Sequence, residues 1–458
     1  MDSVLLLNPP GDRLYIRDYY CSFSSKADYY WPPQDLIVLS GILSDKYRVN
    51  VIDAIINKIN SDECLKRVLD SDYKAIIFTT GTATLISDLE LMKKIKDEKK
   101  HIKIIVSAGI MKFIYKEFMD TYDFIDGVLI DFTEKDFIHF IEDSCSSPLK
   151  GFVYRKDGKL IEHKERLPMK FSVPIPRHEL FDFKKYKIPI AKKFPFTVVI
   201  TSLGCPYNCA FCTAGAYGYR VREVDNVIKE LIYLKKLGVK EILFQDPTFT
   251  INKKRVIELC RKMLDNGLEF TWSCNADIKS MDEEKIYWMK RAGCHTVSIG
   301  IESGDDSILR KYSKMITVEQ IKKVVDLLNK YKIRILGYFI IGLPGETRES
   351  ILKTIELAKS LKLDIASFAI ATPDVGTKLR QEAIAKGWIS PDALNFDSTE
   401  FPIIETEELK REEIWRLRRR AVREFYLRPS YIFRRLFQIR SFRDLKLTIS
   451  NAMSLLSK

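Results

Sequence analysis

Three cysteines fall within eight residues, in Gly204-Cys205-Pro206-Tyr207-Asn208-Cys209-Ala210-Phe211-Cys212, directly after the apolar run Thr197–Ile200. Thiolates are the soft donors that iron–sulfur clusters use. Three on one tight loop can reach three corners of a cubane and leave the fourth iron open to a substrate group. Zinc sites normally close with four ligands. No fourth Cys or His lies on a similar loop downstream, so zinc is the second choice. The chain has nine cysteines, and the other six, Cys21, Cys64, Cys145, Cys260, Cys274 and Cys294, are scattered. An odd, clustered set points to a metal site in a reducing compartment rather than to a disulfide framework. Cys260, Cys274 and Cys294 have apolar surroundings and are expected as small core residues.

The cysteine loop sits in an alternating pattern. Strands are expected at Thr197–Ile200, Glu241–Phe244, Phe270–Ser273, Thr296–Ile299, Ile333–Ile341 and Ile365–Ala371. Helices are expected at Val256–Leu264, Met281–Ala292, Val318–Lys330 and Ile351–Leu361, with Val224, Val227, Ile228, Leu231 and Leu234 marking one further helical face. Six such repeats predict a partial (β/α)-type barrel, whose reactive loops follow the strands. Residues 1 to about 145 alternate as well, with strands at Val4–Leu7, Val49–Ile52, Ala75–Phe78, Ile102–Val106 and Gly127–Ile130. That pattern predicts a parallel sheet with helices on both faces. Its ligand rim should be the carboxyl ends of the strands, at Asn8-Pro9-Pro10-Gly11, Thr79-Thr80-Gly81-Thr82 and Ser107-Ala108-Gly109. Between the two lie a hairpin turning at Asp157-Gly158 and a stretch with Pro168, Pro174, Pro176 and Pro189 that reads as a linker. A chain of 458 residues is long enough for two or three cores.

The CxxxCxxC spacing, with an aromatic before the last cysteine, resembles the signature of the radical S-adenosylmethionine (SAM) superfamily. Three further segments resemble its motifs in the right order, between the cysteine loop and Glu346. Phe244-Gln245-Asp246-Pro247-Thr248-Phe249 resembles the second-strand motif, Gly300-Ile301-Glu302-Ser303-Gly304 the fourth-strand motif, and Gly337 through Gly342-Leu343-Pro344-Gly345-Glu346 the fifth-strand motif. The resemblance implies that Cys205, Cys209 and Cys212 hold a [4Fe–4S] cluster and carry catalysis. SAM would chelate the open iron and be cleaved to a 5′-deoxyadenosyl radical. It further implies SAM contacts from Phe211 near the adenine, from Gln245, Asp246, Glu302 and Ser303 at the strand ends, from Lys314 at the carboxylate, and from Gly337, Ile340 and Gly342 along the fifth strand. Plain roles stand beside these: a core aromatic for Phe211, loop carboxylates for Asp246 and Glu302, a surface lysine for Lys314.

The N-terminal segment resembles the cobalamin-binding subclass, through Asn8-Pro9-Pro10, Trp31-Pro32-Pro33-Gln34-Asp35-Leu36 and Val51-Ile52-Asp53-Ala54. The implied fold is α/β: a Rossmann-like, cobalamin-binding-type domain (1–150), a hairpin and linker (151–195), a partial (β/α)6 TIM-like radical SAM barrel (196–385) and a basic helical C-terminal region (386–458). Cobalamin is the third cofactor implied. The cobalt-ligating Asp-x-His-x-x-Gly pattern is absent, and no histidine precedes His101. The glycine pair after the third central strand is Ala108-Gly109 here, and the later Gly-Glu turn is Asp131-Phe132. Close approach of backbone to a bulky cofactor favours glycine. The rival reading is a retained Rossmann-like domain that shapes a substrate tunnel.

The net charge of +13 is concentrated late in the chain. Arg and Lys residues from Lys410 to Lys446 alternate with Ile414, Leu417, Val422, Phe425, Tyr431, Ile432, Leu436, Phe437, Ile439 and Phe442, and Leu445, Leu447, Ile449, Met453 and Leu456 follow. This is the composition of interfacial helices, divided at Pro429. The alternative is an apolar face docked on the barrel with its arginines in water. Nucleic acid is disfavoured because no recognition motif accompanies the patch. No apolar run approaches the roughly 20 residues of a membrane span, and no basic n-region precedes Val4–Leu7. A cytoplasmic protein is expected, peripheral on the inner face of the membrane. The expected reaction is hydrogen abstraction from an unactivated C–H of a lipophilic, membrane-lipid-like substrate, leading to C–C bond formation, ring formation or C-methylation. A reductase or ferredoxin-type protein would donate the electron. The alternative is a cobalamin-dependent C-methyltransferase of a soluble natural product or tetrapyrrole. A non-catalytic metal- or RNA-binding scaffold is the third reading.

Overall fold

The computed structural model describes residues 1–25, 29–394, 396–397, 399 and 401–438. The chain opens with β1 (Ser3–Asn8) and a small hairpin, β2 (Tyr15–Arg17) and β3 (Ser22–Ser24). There follow β4 (Arg48–Asp53), β5 (Ala75–Thr79), β6 (Lys103–Ser107), β7 (Gly127–Leu129), β8 (Phe152–Lys156) and β9 (Lys159–Glu162). All but the hairpin join one seven-stranded sheet, in the order β4-β1-β5-β6-β7-β8-β9. The five strands from β4 to β7 in that order are parallel.

These strands read as continuous apolar runs because both faces are covered. Leu5 and Leu7 point into one core with Ile76, Phe78, Ile104 and Val106. Val4 and Leu6 point into the other, with Ile77, Ile105 and the helix Gln34–Ser44. The hairpin β8–β9 turns at Asp157 and Gly158, both at positive φ, as a two-residue turn of that type requires. It was grouped with the linker in the sequence reading. Instead β8 pairs antiparallel with β7, Leu129 opposite Phe152, and extends the first sheet.

The strands β10 (Lys170–Phe171), β11 (Phe196–Val199), β12 (Ser202–Leu203) and β13 (Arg220–Arg222) come next. Of these β10, β13 and β12 form a short ribbon. The second large sheet comprises β11, β14 (Glu241–Phe244), β15 (Thr271–Ala276), β16 (Cys294–Glu302), β17 (Arg334–Ile341) and β18 (Ile365–Ile370), paired in that order. Every pairing is parallel, with a helix after each of the first five strands. The sheet is an open arc edged by β11 and β18, as expected for a partial barrel.

The helix Arg411–Tyr426 buries Ile414, Leu417, Ala421, Val422 and Phe425 against β17, β18 and the helix Arg348–Ser360. Arg418 is buried with them and donates to the Phe368 carbonyl. For this segment the docked alternative holds. A second helix begins at Pro429. The apolar and basic positions from Ile439 onward lie outside the described residues.

The hairpin β2–β3 ties the two large sheets together at their carboxyl ends. Arg17 of β2 pairs with Asp88 at 2.7 Å, both buried, and donates to the carbonyls of Pro9 and Pro10. This pins the hairpin over the first sheet's strand ends. From there Asp18 and Tyr20 reach the second sheet.

Candidate active site

The cysteine loop leaves β12 through Gly204, whose φ of +64° lies in the region only glycine enters freely. A Cβ there would also sit 1.9 Å from the Gly218 carbonyl oxygen. Four backbone hydrogen bonds hold the loop: Cys205 N–H to Ala214 O (3.0 Å), Cys212 N–H to Cys209 O (3.1 Å), Ala210 N–H to Tyr312 O (3.0 Å) and Leu379 N–H to Ala210 O (2.9 Å). The side chains of Cys205 and Cys209 are half-buried and that of Cys212 is exposed. Thr248 Oγ1, from the loop after β14, lies 3.7 Å from Cys205 Sγ. Three thiols on one accessible loop, backed by a hydroxyl donor, are a donor set that fits an iron–sulfur cluster.

The loop rests on a buried polar network. Asp246 was expected to contact SAM. It is fully buried and accepts from Thr201 N–H (2.6 Å), Thr201 Oγ1 and Ser202 Oγ (2.9 Å). Its carboxylate is thus spent on the backbone that enters the loop, and it is a positioning residue. Burial pushes Asp246 above the usual carboxylate range, with Arg255 opposing. Arg255 donates to the carbonyls of Thr201 (2.6 Å) and Arg222 (3.2 Å). Arg222 in turn pairs with Glu230, which accepts a bond from His178 (2.8 Å).

At the end of β16 the fourth-strand residues Glu302 and Ser303 differ in setting. Glu302 pairs with Lys314 at 2.9 Å, near the top of β16. Glu302 has φ +65° at a register shift between Gly300 and Glu302. A side-chain-bearing residue held there costs about 1–3 kcal/mol and persists where the surroundings impose it. A Cβ on Gly300 would meet Glu302 Oε1 at 2.2 Å and Lys314 Nζ at 2.7 Å, so glycine makes room for the pair. Burial would lower the Lys314 ammonium, but Glu302, with Cys209 and Asp277, raises it above the usual lysine range. Lys314 therefore stays charged beside Cys209. Ser303 is fully buried and bonded to Thr354 (3.3 Å) and Asp305 N–H (3.2 Å). It shapes the loop from within rather than facing the opening.

Phe211 and Ile340 meet in one apolar cluster with Ala210, Tyr312 and Leu343. That places an apolar wall beside the cysteines. Gly342, at φ +87°, and Leu343 donate their N–H groups to Glu346, at 2.8 and 3.0 Å. Burial pushes Glu346 up to about 8. Gly337 is different. A Cβ there would crowd Leu363 and Ile301, so its smallness serves packing.

Gln245 donates to Asp18 of the first domain at 2.5 Å, and Gly204 N–H donates to the Tyr20 hydroxyl at 2.8 Å. Tyr217, just after the cysteine loop, donates to the Gly109 carbonyl at 2.5 Å. Tyr20 meets both Tyr19 and Tyr217 edge to face, Tyr19 and Tyr217 are tilted to each other, and the three ring centroids are 5.2–5.5 Å apart. Gly109 is close-packed beneath this layer, where a Cβ would stand 1.9 Å from the Tyr19 carbonyl oxygen. Phe132 is buried 4.7 Å from the Tyr19 ring. On one side of the tyrosines a cavity of about 540 Å³ opens among Lys112, Asp131, His163 and Arg220. A smaller recess on the other side is lined by Cys21, Thr80, Gly81, Thr213 and Asp374. The sequence reading missed Asp18, Tyr20, Tyr217 and Lys112; the Tyr19-Tyr20 doublet carries no motif.

The family model of the radical SAM superfamily matches residues 199–358. A protein of Pyrococcus horikoshii named as an uncharacterized methyltransferase is 33% identical over 90% of this chain and 91% of its own length. An anaerobic magnesium-protoporphyrin IX monomethyl ester cyclase of Rubrivivax gelatinosus is 25% identical over 92% of this chain and 78% of its own. Among solved structures, the radical SAM methyltransferase TsrM of Kitasatospora setae, with cobalamin and a [4Fe–4S] cluster bound, superposes with a TM-score of 0.71. It is 14% identical, and 99% of each chain is covered. The cobalamin-dependent enzyme OxsB, with aqua-cobalamin and SAM bound, gives 0.72 at 16% identity over 99% of this chain and 72% of its own. At such identities the structural likeness speaks for the fold alone. With its cysteine loop after the first strand of a six-stranded parallel arc and a Rossmann-like sheet facing that loop, this chain belongs to the radical SAM superfamily and has the architecture of its cobalamin-binding-domain subclass.

Proposed function

We propose that the protein is a radical SAM C-methyltransferase that uses cobalamin. The observation that carries this is the meeting of the two sheets' carboxyl ends across the Tyr19–Tyr20–Tyr217 layer, with the cysteine loop on one side and the 540 Å³ cavity beside it. The names of the relatives, a methyltransferase and a tetrapyrrole ester cyclase, favour small-molecule carbon chemistry. Cys205, Cys209 and Cys212 would hold the cluster. Phe211, Ile340, Glu302 and Lys314 would seat SAM. Lys112, Asp131 and Tyr217 would meet cobalamin, whose many amides suit a polar, tyrosine-lined cavity; the histidine lining that cavity is His163, directly after β9. Bound together, these cofactors supply hydrogen abstraction from an unactivated carbon and a transferable methyl group.

The chain's own residues do the rest. The Glu302–Lys314 pair presents a carboxylate and an ammonium side by side, matched to an amino-acid zwitterion. Asp246, Arg255 and Thr201 fix the entry of the cysteine loop from beneath. The tyrosine layer joins the two domains at the cysteine loop through the Tyr20–Gly204 and Tyr217–Gly109 hydrogen bonds. The electron comes from a reductase or ferredoxin-type protein.

Anaerobic reconstitution with iron, sulfide and hydroxocobalamin tests the reading. About four irons and one tightly held cobalt per chain are expected. Four irons without cobalt would discard the methyl-carrier half and leave direct radical chemistry on the substrate.

A lipid-like substrate at a membrane surface is a second reading, favoured by one feature. Leu427, Ile432 and Phe433 are 52%, 41% and 62% exposed. Arg416, Arg419 and Arg423, all exposed, share a helical stripe with Leu427. Among the described residues no helix is long and apolar enough to cross a membrane. The chain is expected to float with phosphatidylglycerol vesicles and not with phosphatidylcholine vesicles. A chain that stays wholly in the soluble fraction with both counts against this reading.

A further inference from the structure

Among the described residues two cations around the 540 Å³ cavity have no carboxylate at ion-pair distance, Lys112 and Arg166, and of these Arg166 is exposed to water while Lys112 is half-buried. Asp131 and Glu134 both pair with Arg220, and Asp131 also accepts from Thr133. Glu162 accepts from Tyr115. Glu165 lies 3.8 Å from His163. Lys112 is half-buried, and its Nζ rests 5.5 Å over the Tyr217 ring. Among the described residues it has no carboxylate at ion-pair distance. Burial pushes it below the usual lysine range, with Asp131 opposing. A cation held in a cavity and facing only a ring is under-compensated, and a charged acceptor placed there forms a strong bond.

We propose that Lys112 is the counter-ion for the phosphodiester of the corrinoid's nucleotide tail, so that the cavity takes that tail beside Tyr217. This rests on the cobalamin reading above. A cobalamin molecule carries its one phosphate on the nucleotide loop, and an ammonium serves phosphate as a point charge. Asp131, next to the cavity, is held by Arg220 and so does not compete for Lys112. The position also suits an open α/β sheet, whose ligands sit outside the strand ends: Lys112 is the second residue of the helix after β6.

The test is equilibrium binding of hydroxocobalamin and of cobinamide, which has the corrin but lacks the phosphate and nucleotide. Both are measured on the full chain by absorbance of the retained corrinoid. Wild type should bind cobalamin more tightly than cobinamide. Lys112→Gln should weaken cobalamin binding about tenfold and leave cobinamide within about twofold, while Lys112→Arg should keep most of the cobalamin affinity. The cobinamide arm also reports whether the variant is folded. Equal losses for both corrinoids, or no loss for either, would overturn the assignment and leave the cobalamin reading intact. Wild type that retains neither corrinoid would remove the cobalamin reading itself, and the assignment with it.

Discussion

Cys209→Ala is expected to abolish reductive SAM cleavage, a fall of roughly a thousandfold or more, and to lower the reconstituted iron content. The side chain is half-buried and its carbonyl, which accepts from Cys212 N–H, is untouched by the substitution. The fold should therefore survive, and circular dichroism should match wild type. The measurement is anaerobic 5′-deoxyadenosine formation under dithionite, alongside iron analysis. Cys274→Ala is the control. Cys274 is fully buried among core residues, so its loss should touch stability and not cleavage. A Cys209→Ala protein with full iron and full cleavage would take the cluster away from this loop. Wild type with no cleavage would revive a scaffold function.

Glu230→Gln is expected to cost about 3–5 kcal/mol of stability without removing any ligand of the cluster. Glu230 and Arg222 are almost wholly buried, and His178 is buried on the other side of the carboxylate. Removing the negative charge strands Arg222, which also donates to the Ile200 carbonyl. Urea denaturation measures the loss; a change within about 0.5 kcal/mol would show that the pair is neutral here. The pH dependence has a definite sign. Burial raises the Glu230 carboxyl, but Arg222 and His178 outweigh it and hold it below its usual 4.5. Such a group stabilises the fold above its unfolded value, and that stability is lost as pH falls from about 4.5 through the lower folded value. The variant should lack this acid-side loss.

What the sequence could disclose was set by distance along the chain. The cluster cysteines are local, and their spacing states their chemistry. The parallel strands announce themselves as apolar runs because both faces are covered. Asp246 shows the limit. Its strand-end position was legible, but nothing in the sequence says whether a carboxylate turns up toward a ligand or down toward Thr201 and Ser202. The contacts from Tyr20 to Gly204 and from Asp18 to Gln245 span 184 and 227 residues, beyond any periodicity. The same holds for β8 and β9. Their turn was plain, but pairing with β7 depends on the exposed edge of a sheet laid down earlier. The basic helix Arg411–Tyr426 reads from its composition as interfacial ahead of docked, because β17 and β18, the surface that covers it, lie far off in sequence.

The hydrogen bond from Gly204 to Tyr20 means that the two halves of this chain are not interchangeable parts. Gly204 begins the cysteine loop, and its N–H finds its acceptor in a tyrosine 184 residues earlier in the chain. Excising the barrel would leave that N–H and the Gln245 amide to water and uncover the tyrosine layer. Grafting another N-terminal domain would need the same two acceptors at the same height. The pair can therefore drift in sequence only together, and exchanging one domain between relatives carries a toll at the loop where the chemistry begins.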